Sequence, residues 1–123
     1  MTYRGSYEYV EQEVFVNWMR CNGVKFYAVG NGGKRNAAEA AHMKRCGIVA
    51  GVPDICIPEP ANGFHSLYIE LKRKDGGRVS AAQKEWLEWL NDTGFKAVVC
   101  RGFDEAKEAV KEYFAGVKTL RWQ

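Results

Sequence analysis

Apolar and polar positions recur along this chain with two periods, and those periods predict its elements. Over 7–21, Val10, Val14, Phe15, Trp18 and Met19 fall at helical spacing as one stripe, and Asn22-Gly23 ends the helix. Residues 24–29 are short, β-branched and aromatic, which predicts a strand. The flexible turn Gly30-Asn31-Gly32-Gly33 leads to a short helix over 36–45 that Gly47 closes. A strand over 54–57 is stopped by Pro58 and Pro60. After the turn at Asn62-Gly63, residues 66–72 alternate strictly, with Leu67, Ile69 and Leu71 facing one way and Tyr68, Glu70 and Lys72 the other. Asp75-Gly76-Gly77 turns the chain again. Ser80-Ala-Ala-Gln83 is a capping box that starts a helix running to about Thr93, with Gln83, Trp86, Leu87 and Leu90 on one face. Gly94 stops it, and residues 96–101 are almost continuously apolar, the pattern of a central strand. Asp104 is placed to cap a last helix that turns Ala106, Ala109, Val110, Tyr113 and Phe114 inward.

The order helix, strand, helix, strand, strand, helix, strand, helix predicts a small α/β sandwich around a mixed sheet. With 123 residues, one domain over 1–123 is expected. Apolar residues at 46% and charged residues at 27% describe a globule and exclude a disordered or fibrous chain. No apolar run approaches the roughly 18 residues of a membrane span, so no membrane partner is expected. The start MTYRGSYEYV lacks the basic-then-apolar order of a secretory signal, so a cytoplasmic location is expected. Cys21, Cys46, Cys56 and Cys100 form no C-x-x-C pair, and buried, reduced thiols are the expectation.

Net charge is only +3, but its distribution is uneven: residues 20–78 hold ten Lys or Arg against five Asp or Glu. That asymmetry reads either as a solvated surface or as a footprint for a polyanion. Lys34 and Arg35 follow the glycine-rich turn, and Lys44, Arg45, Arg73, Lys74 and Arg78 are placed to flank one cleft; some of them read as phosphate contacts. His42 and His65 have no partner at ligand or triad spacing and are read as structural.

Chemistry concentrates on two strands. Glu70 and Lys72 point to one face of theirs, and Asp54 begins the strand before it. A two-residue turn at Asn62-Gly63 would set Asp54 opposite Leu71, with Glu70 on the wrong face; an odd-length loop or a bulge, for which Pro58 and Pro60 give occasion, would bring Asp54 to Glu70. Two adjacent carboxylates repel unless a cation lies between them, and a hard oxygen site with open positions suits Mg²⁺, with Mn²⁺ able to substitute. Such an ion polarises a phosphate and activates water, while a neighbouring lysine orients or deprotonates that water or neutralises developing charge. Glu-x-Lys alone is weak, since Glu105-Ala-Lys107 repeats it on a helix with no strand beside it.

Four segments in order, Gly51-Val-Pro-Asp54, Tyr68-Ile-Glu70-Leu-Lys72-Arg73, Arg78-Val-Ser80-Ala-Ala-Gln83-Lys-Glu-Trp86-Leu and Gly94-Phe-Lys-Ala-Val-Val, resemble the VRR-NUC family of the PD-(D/E)XK nucleases. The resemblance runs from about residue 7 to 114 and implies the restriction-endonuclease-like core, a Mg²⁺-dependent endonuclease and a DNA substrate. By the same resemblance, Asp54 and Glu70 are metal ligands with the carbonyl of Leu71 as a third, and Lys72 is the catalytic lysine. The family's first-helix glutamate, followed four residues later by glutamine, matches Glu8 and Gln12, so Glu8 is the accessory metal ligand, with Glu11 the rival on the core-facing stripe. Gln83 matches the family's glutamine after the catalytic strand; it either serves the active centre or only closes the capping box with Ser80. The resemblance suggests branched, flapped or Holliday-junction-like DNA as substrate, and stand-alone members are associated with phages and mobile elements, hence the host cytoplasm. One active centre cuts one strand, so two coordinated cuts at a junction call for a homodimer. Phe26, Tyr27, Trp89 and Trp122, hard to bury together, are candidate contacts of that dimer. A DNA-binding module without catalysis and a restriction-type enzyme are the alternatives.

Overall fold

The computed structural model describes residues 6–30 and 36–120, with side chains from Val10 onward in the first helix. That helix, α1 (Ser6–Cys21), buries Phe15, Trp18 and Met19. Val10 and Val14 are exposed, contrary to the stripe expected, because the buried phase runs through residues 11, 15, 18 and 19. The Asn22 amide donates to the carbonyls of Trp18 and Met19 at 3.1 Å, and the chain turns back through Gly23.

Strand β1 is confined to Tyr27–Ala28, shorter than 24–29. Its partner β2 has only Ile55–Ile57 to offer before Pro58 removes a donor. The pairing continues by one bond, from the Val29 N–H to the Asp54 carbonyl at 2.7 Å. Between them lies α2 (Ala37–Arg45), capped by Asn36, whose carboxamide oxygen accepts from the Glu39 amide at 2.7 Å. No residue of α2 is buried, and it packs on none of the other described helices or strands.

Strand β3 (Leu67–Lys72) is the centre of the sheet, antiparallel to β2 and parallel to β4 (Lys96–Arg101), in the order β1-β2-β3-β4. Helix α3 (Ala81–Asp92) crosses between β3 and β4, and α4 (Gly102–Tyr113) follows β4 directly. Ile55, Ile57, Leu67, Ile69, Leu71 and Cys100 turn to one face, where α1 and α4 cover them with Phe15, Trp18, Met19, Ala106, Val110 and Phe114. Burial of this apolar face holds the sandwich together, at roughly 25 cal/mol per Å² removed from water.

Two expectations need correction. Residues 96–101 form an edge strand, not a central one. They are apolar because α3 and α4 cover both faces, and the open edge is blunted by side chains. Asn91 accepts from the Ala97 amide at 2.9 Å and donates to its carbonyl at 3.0 Å, and Glu105 accepts from the Arg101 amide at 2.7 Å. Asp104 does not cap α4, which begins two residues earlier with Arg101 at the N-cap and no side-chain cap of its own. The Phe103 amide is instead taken by Glu11 of α1, at 2.6 Å. Among the cysteines, Cys56 and Cys100 are buried, whereas Cys21 and Cys46 are exposed; all are free thiols. No described helix is long and apolar enough to cross a membrane.

Candidate active site

The register of the β2–β3 hairpin decides which side chains meet. At its tip, Asn62 and Gly63 take positive φ of 49° and 87°, and Ala61 bridges Phe64, a two-residue turn. Left alone, that turn would pair Asp54 with Leu71. Between the turn and the ladder, however, Pro58-Glu59-Pro60 stands against only His65-Ser66, so one extra residue sits on the β2 side and Ile57 pairs with Leu67. One step beyond the last ladder pair, Ile55 with Ile69, brings Asp54 level with Glu70. The Asp54 carboxylate itself closes the ladder there, accepting from the Leu71 amide at 2.9 Å.

Glu70 is 2% exposed. Its Oε2 accepts from Gln83 Nε2 at 3.1 Å and lies 3.4 Å from Lys72 Nζ, while its Oε1 has no partner among the described residues. Burial pushes its carboxyl up to about 8, the Asp54 carboxylate adds to the rise, and the Lys72 ammonium opposes it. A buried acid facing a second acid, with one oxygen left over, is a donor set short of a positive charge. The residues fit a hard divalent cation at Asp54 and Glu70, which would take the free oxygen and relieve the repulsion. Among the described residues no group of three or more His, Cys, Asp or Glu comes together.

Gln83 makes contacts in both of the directions that its position suggests. Its Oε1 accepts from the Ser80 amide at 2.8 Å and closes the capping box, and its Nε2 reaches Glu70. The first turn of α3 is thereby tied to the acid pair. Gly51, with φ +93°, lets the loop before Asp54 press on that same turn; a Cβ there would stand 2.6 Å from the Ala82 carbonyl. On the other side of Lys72, the turn after β3 folds back so that Gly77 lies against its stem, and Arg101 donates to the Arg73 and Gly76 carbonyls. Arg101 carries no motif in the sequence. Its place is readable only once β3 and β4 are paired in parallel, which sets it beside Lys72.

The remaining candidates divide. Glu8 lies in the first turns of α1, and its side chain falls outside the described residues, as do Lys34, Arg35 and Trp122. Glu11, its rival, is committed to the start of α4 and serves as a cap. Lys74 is exposed, with its stem along Gly102, and Arg78 is exposed as well. Lys44 and Arg45 are exposed in the last turn of α2, away from any packed element. His65 sits against Gly94 and edge-on to Phe95 at 5.2 Å, a packing role, and His42 lies 3.7 Å from the Cys46 thiol. Phe26 packs on the core, with Arg20 over its ring, and is therefore not a surplus aromatic.

Comparison with known proteins adds three findings. The family model described as the VRR-NUC domain matches residues 3–104. A solved structure named VRR_NUC domain protein is 30% identical to this chain, with 87% of each chain covered and a TM-score of 0.69. No curated protein matches.

Proposed function

This chain belongs to the VRR-NUC family of nucleases, and from that premise we propose that it is a Mg²⁺-dependent endonuclease acting on branched DNA, with Mn²⁺ able to substitute. The observation that carries the reading is the buried, unpartnered Oε1 of Glu70, level with Asp54 and flanked by Lys72.

Asp54, Glu70 and the carbonyl of Leu71, which projects to the same side of β3 as the amide bound by Asp54, would hold the ion. When bound, the ion polarises the scissile phosphate and lowers the pKa of water. Lys72 lies 3.4 Å from Glu70 Oε2, with the turn at Gly77 against its stem, and so stands beside the acid pair. From there it orients the attacking water or neutralises charge that develops on phosphorus. Gln83 fixes the rotamer of Glu70 through Nε2, and so keeps the free oxygen turned to the ion. Glu8 is the candidate for a further acid on α1.

Lys34, Arg35, Lys44, Arg45, Lys74 and Arg78 are the proposed phosphate contacts. Contacts of that kind fix position on the backbone but read no bases, which favours recognition of DNA shape over sequence. One such centre cuts one strand, so paired cuts at a junction call for a homodimer; the cytoplasm is the proposed place of action. The test is cleavage of linear, flapped, splayed and four-way substrates with Mg²⁺, Mn²⁺ or EDTA, with light scattering on the same sample. Metal-dependent cutting of branched substrates ahead of linear ones, by a particle of twice the chain mass, is expected. Absence of cutting with either ion, or equal cutting in EDTA, would overturn the reading.

A further inference from the structure

One row of the sheet beside the acid pair is not used by the chemistry above. Tyr27 pairs with Cys56, and Cys56 with Tyr68, so these three side chains cross β1, β2 and β3 on one face. It is the face of Asp54 and Glu70, which lie two residues further along β2 and β3, about 7 Å away at the rise of an extended chain. The Cys56 residue between the two phenols is buried.

The two rings differ in their surroundings. Tyr68 is braced edge-to-face by Phe95 at 5.7 Å, which in turn is braced by His65 at 5.2 Å. Tyr27 is 51% exposed and joins no aromatic pair among the described residues. No described helix covers it, since α3 packs on β4 and α2 packs on nothing described. An open aromatic face therefore stands next to the place where a scissile phosphate would lie.

We infer that Tyr27, in one row with Cys56 and Tyr68, is a stacking platform for an unpaired nucleobase next to the cut. This inference rests on the nuclease reading and narrows its substrate to strands that are unpaired at that nucleotide. A base inside a duplex already has both faces stacked and cannot present one to a side chain. An unpaired base can, and such stacking is sequence-tolerant because every base has a π-face. A row made of two phenols and a thiol, with no cationic side chain in it, also fits a base rather than a further phosphate.

The test is equilibrium binding in EDTA, where no cutting occurs, read by anisotropy with a duplex carrying a single-stranded arm and with the same duplex lacking it. Tyr27→Leu should weaken binding of the armed substrate about tenfold, the scale of one lost base stack, and leave the plain duplex unchanged. Tyr27→Phe, which keeps the ring, should bind both as the wild type does. A 2-aminopurine at the first arm nucleotide should be quenched on binding to the wild type and not to Tyr27→Leu. Equal loss on both substrates, no loss on either, or a fall in particle mass for Tyr27→Leu (which would make the residue a dimer contact) would overturn the inference. Failure of the nuclease reading is seen separately, as a wild type that cuts nothing with Mg²⁺ whatever its binding ratio.

Discussion

The β2–β3 hairpin and the arm that precedes it, residues 36–50, are neighbours in sequence and opposites in packing. In the hairpin, every residue of β2 is buried and the charged pair Glu70 and Lys72 is enclosed with it. In the arm, no residue of α2 is buried, and Ile48 and Val49 are exposed beyond its end. The contrast matches what the proposed function asks of each segment. A carboxylate pair gains its affinity for a cation by being desolvated and held in one rotamer, which only a packed frame supplies. Charges that meet a phosphate backbone act through counterion release, need no fixed rotamer and work best in water-exposed positions. On the proposed function, the hairpin is the part in which geometry matters, and the arm the part in which charge does.

The largest effects should come from exchanging the two roles. Asp54→Asn and Glu70→Gln should abolish cleavage, and Lys72→Ala should lower it at least ~10²-fold, the scale of a positioned proton-transfer group. Lys44→Ala with Arg45→Ala should leave the rate at saturating DNA unchanged. It should instead flatten the salt dependence of binding by about 0.9 log unit per log unit of salt for each phosphate left unneutralised. Single-turnover rates and salt titrations separate the outcomes, and a saturating rate that falls with the arm pair would erase the distinction.

Stability should divide in the same way. Ile55→Ala removes a fully buried side chain next to Asp54 and should cost about 2–5 kcal/mol in chemical denaturation. Met43→Ala on α2 should cost less than about 1 kcal/mol. Two glycines sharpen the comparison, because their backbones are nearly alike. Gly47 has φ +95° with open space around it, and Gly51 has φ +93° against the Ala82 carbonyl. Gly47→Ala should show only the strain of that φ, about 1 kcal/mol, without loss of activity. Gly51→Ala should cost about 1–3 kcal/mol more and reduce cleavage as well, since the turn it displaces carries Gln83. Equal effects would mean that α3 is not seated as described.

The features legible in the amino-acid sequence are those that packing enforces. The alternation over 66–72 puts Glu70 and Lys72 together, and the capping box locates the start of α3 to the residue. The register is legible only as a condition: the acids can meet if an odd residue enters the hairpin, and the extra residue lies on the Pro58-Glu59-Pro60 side of the turn. The edge position of β4 is not legible, because apolar runs report covered faces and say nothing of which neighbour is missing; Asn91 and Glu105, which blunt that edge, look like ordinary surface residues. Glu11 reads as a candidate ligand because an acid on a core-facing phase needs a partner; the partner is the start of α4. In the arm, periodicity finds α2 correctly but has no means to report that nothing described packs on it.

A smaller effect concerns the acid pair without its cation. Glu70 has a folded-state value of about 8, above its ordinary 4.5, so the neutral form is favoured in the folded protein. In EDTA, the stability this gives is complete below the ordinary value and is lost as pH rises through about 8. Glu70→Gln lacks that loss, so its melting temperature should gain on the wild type by about 3–5 °C between acidic and mildly alkaline pH. A difference that does not change with pH would remove the electrostatic strain from the account.

The most direct test of the central claim, that Asp54 and Glu70 are brought level to hold a divalent ion, is calorimetric titration of the metal-free protein with Mn²⁺ near pH 7, in buffers of different ionisation heat. Binding by the wild type with release of a proton from Glu70, and loss of both the binding and the release in Glu70→Gln, is the predicted result. Binding of the same strength in Glu70→Gln, or binding with no proton released, would contradict it.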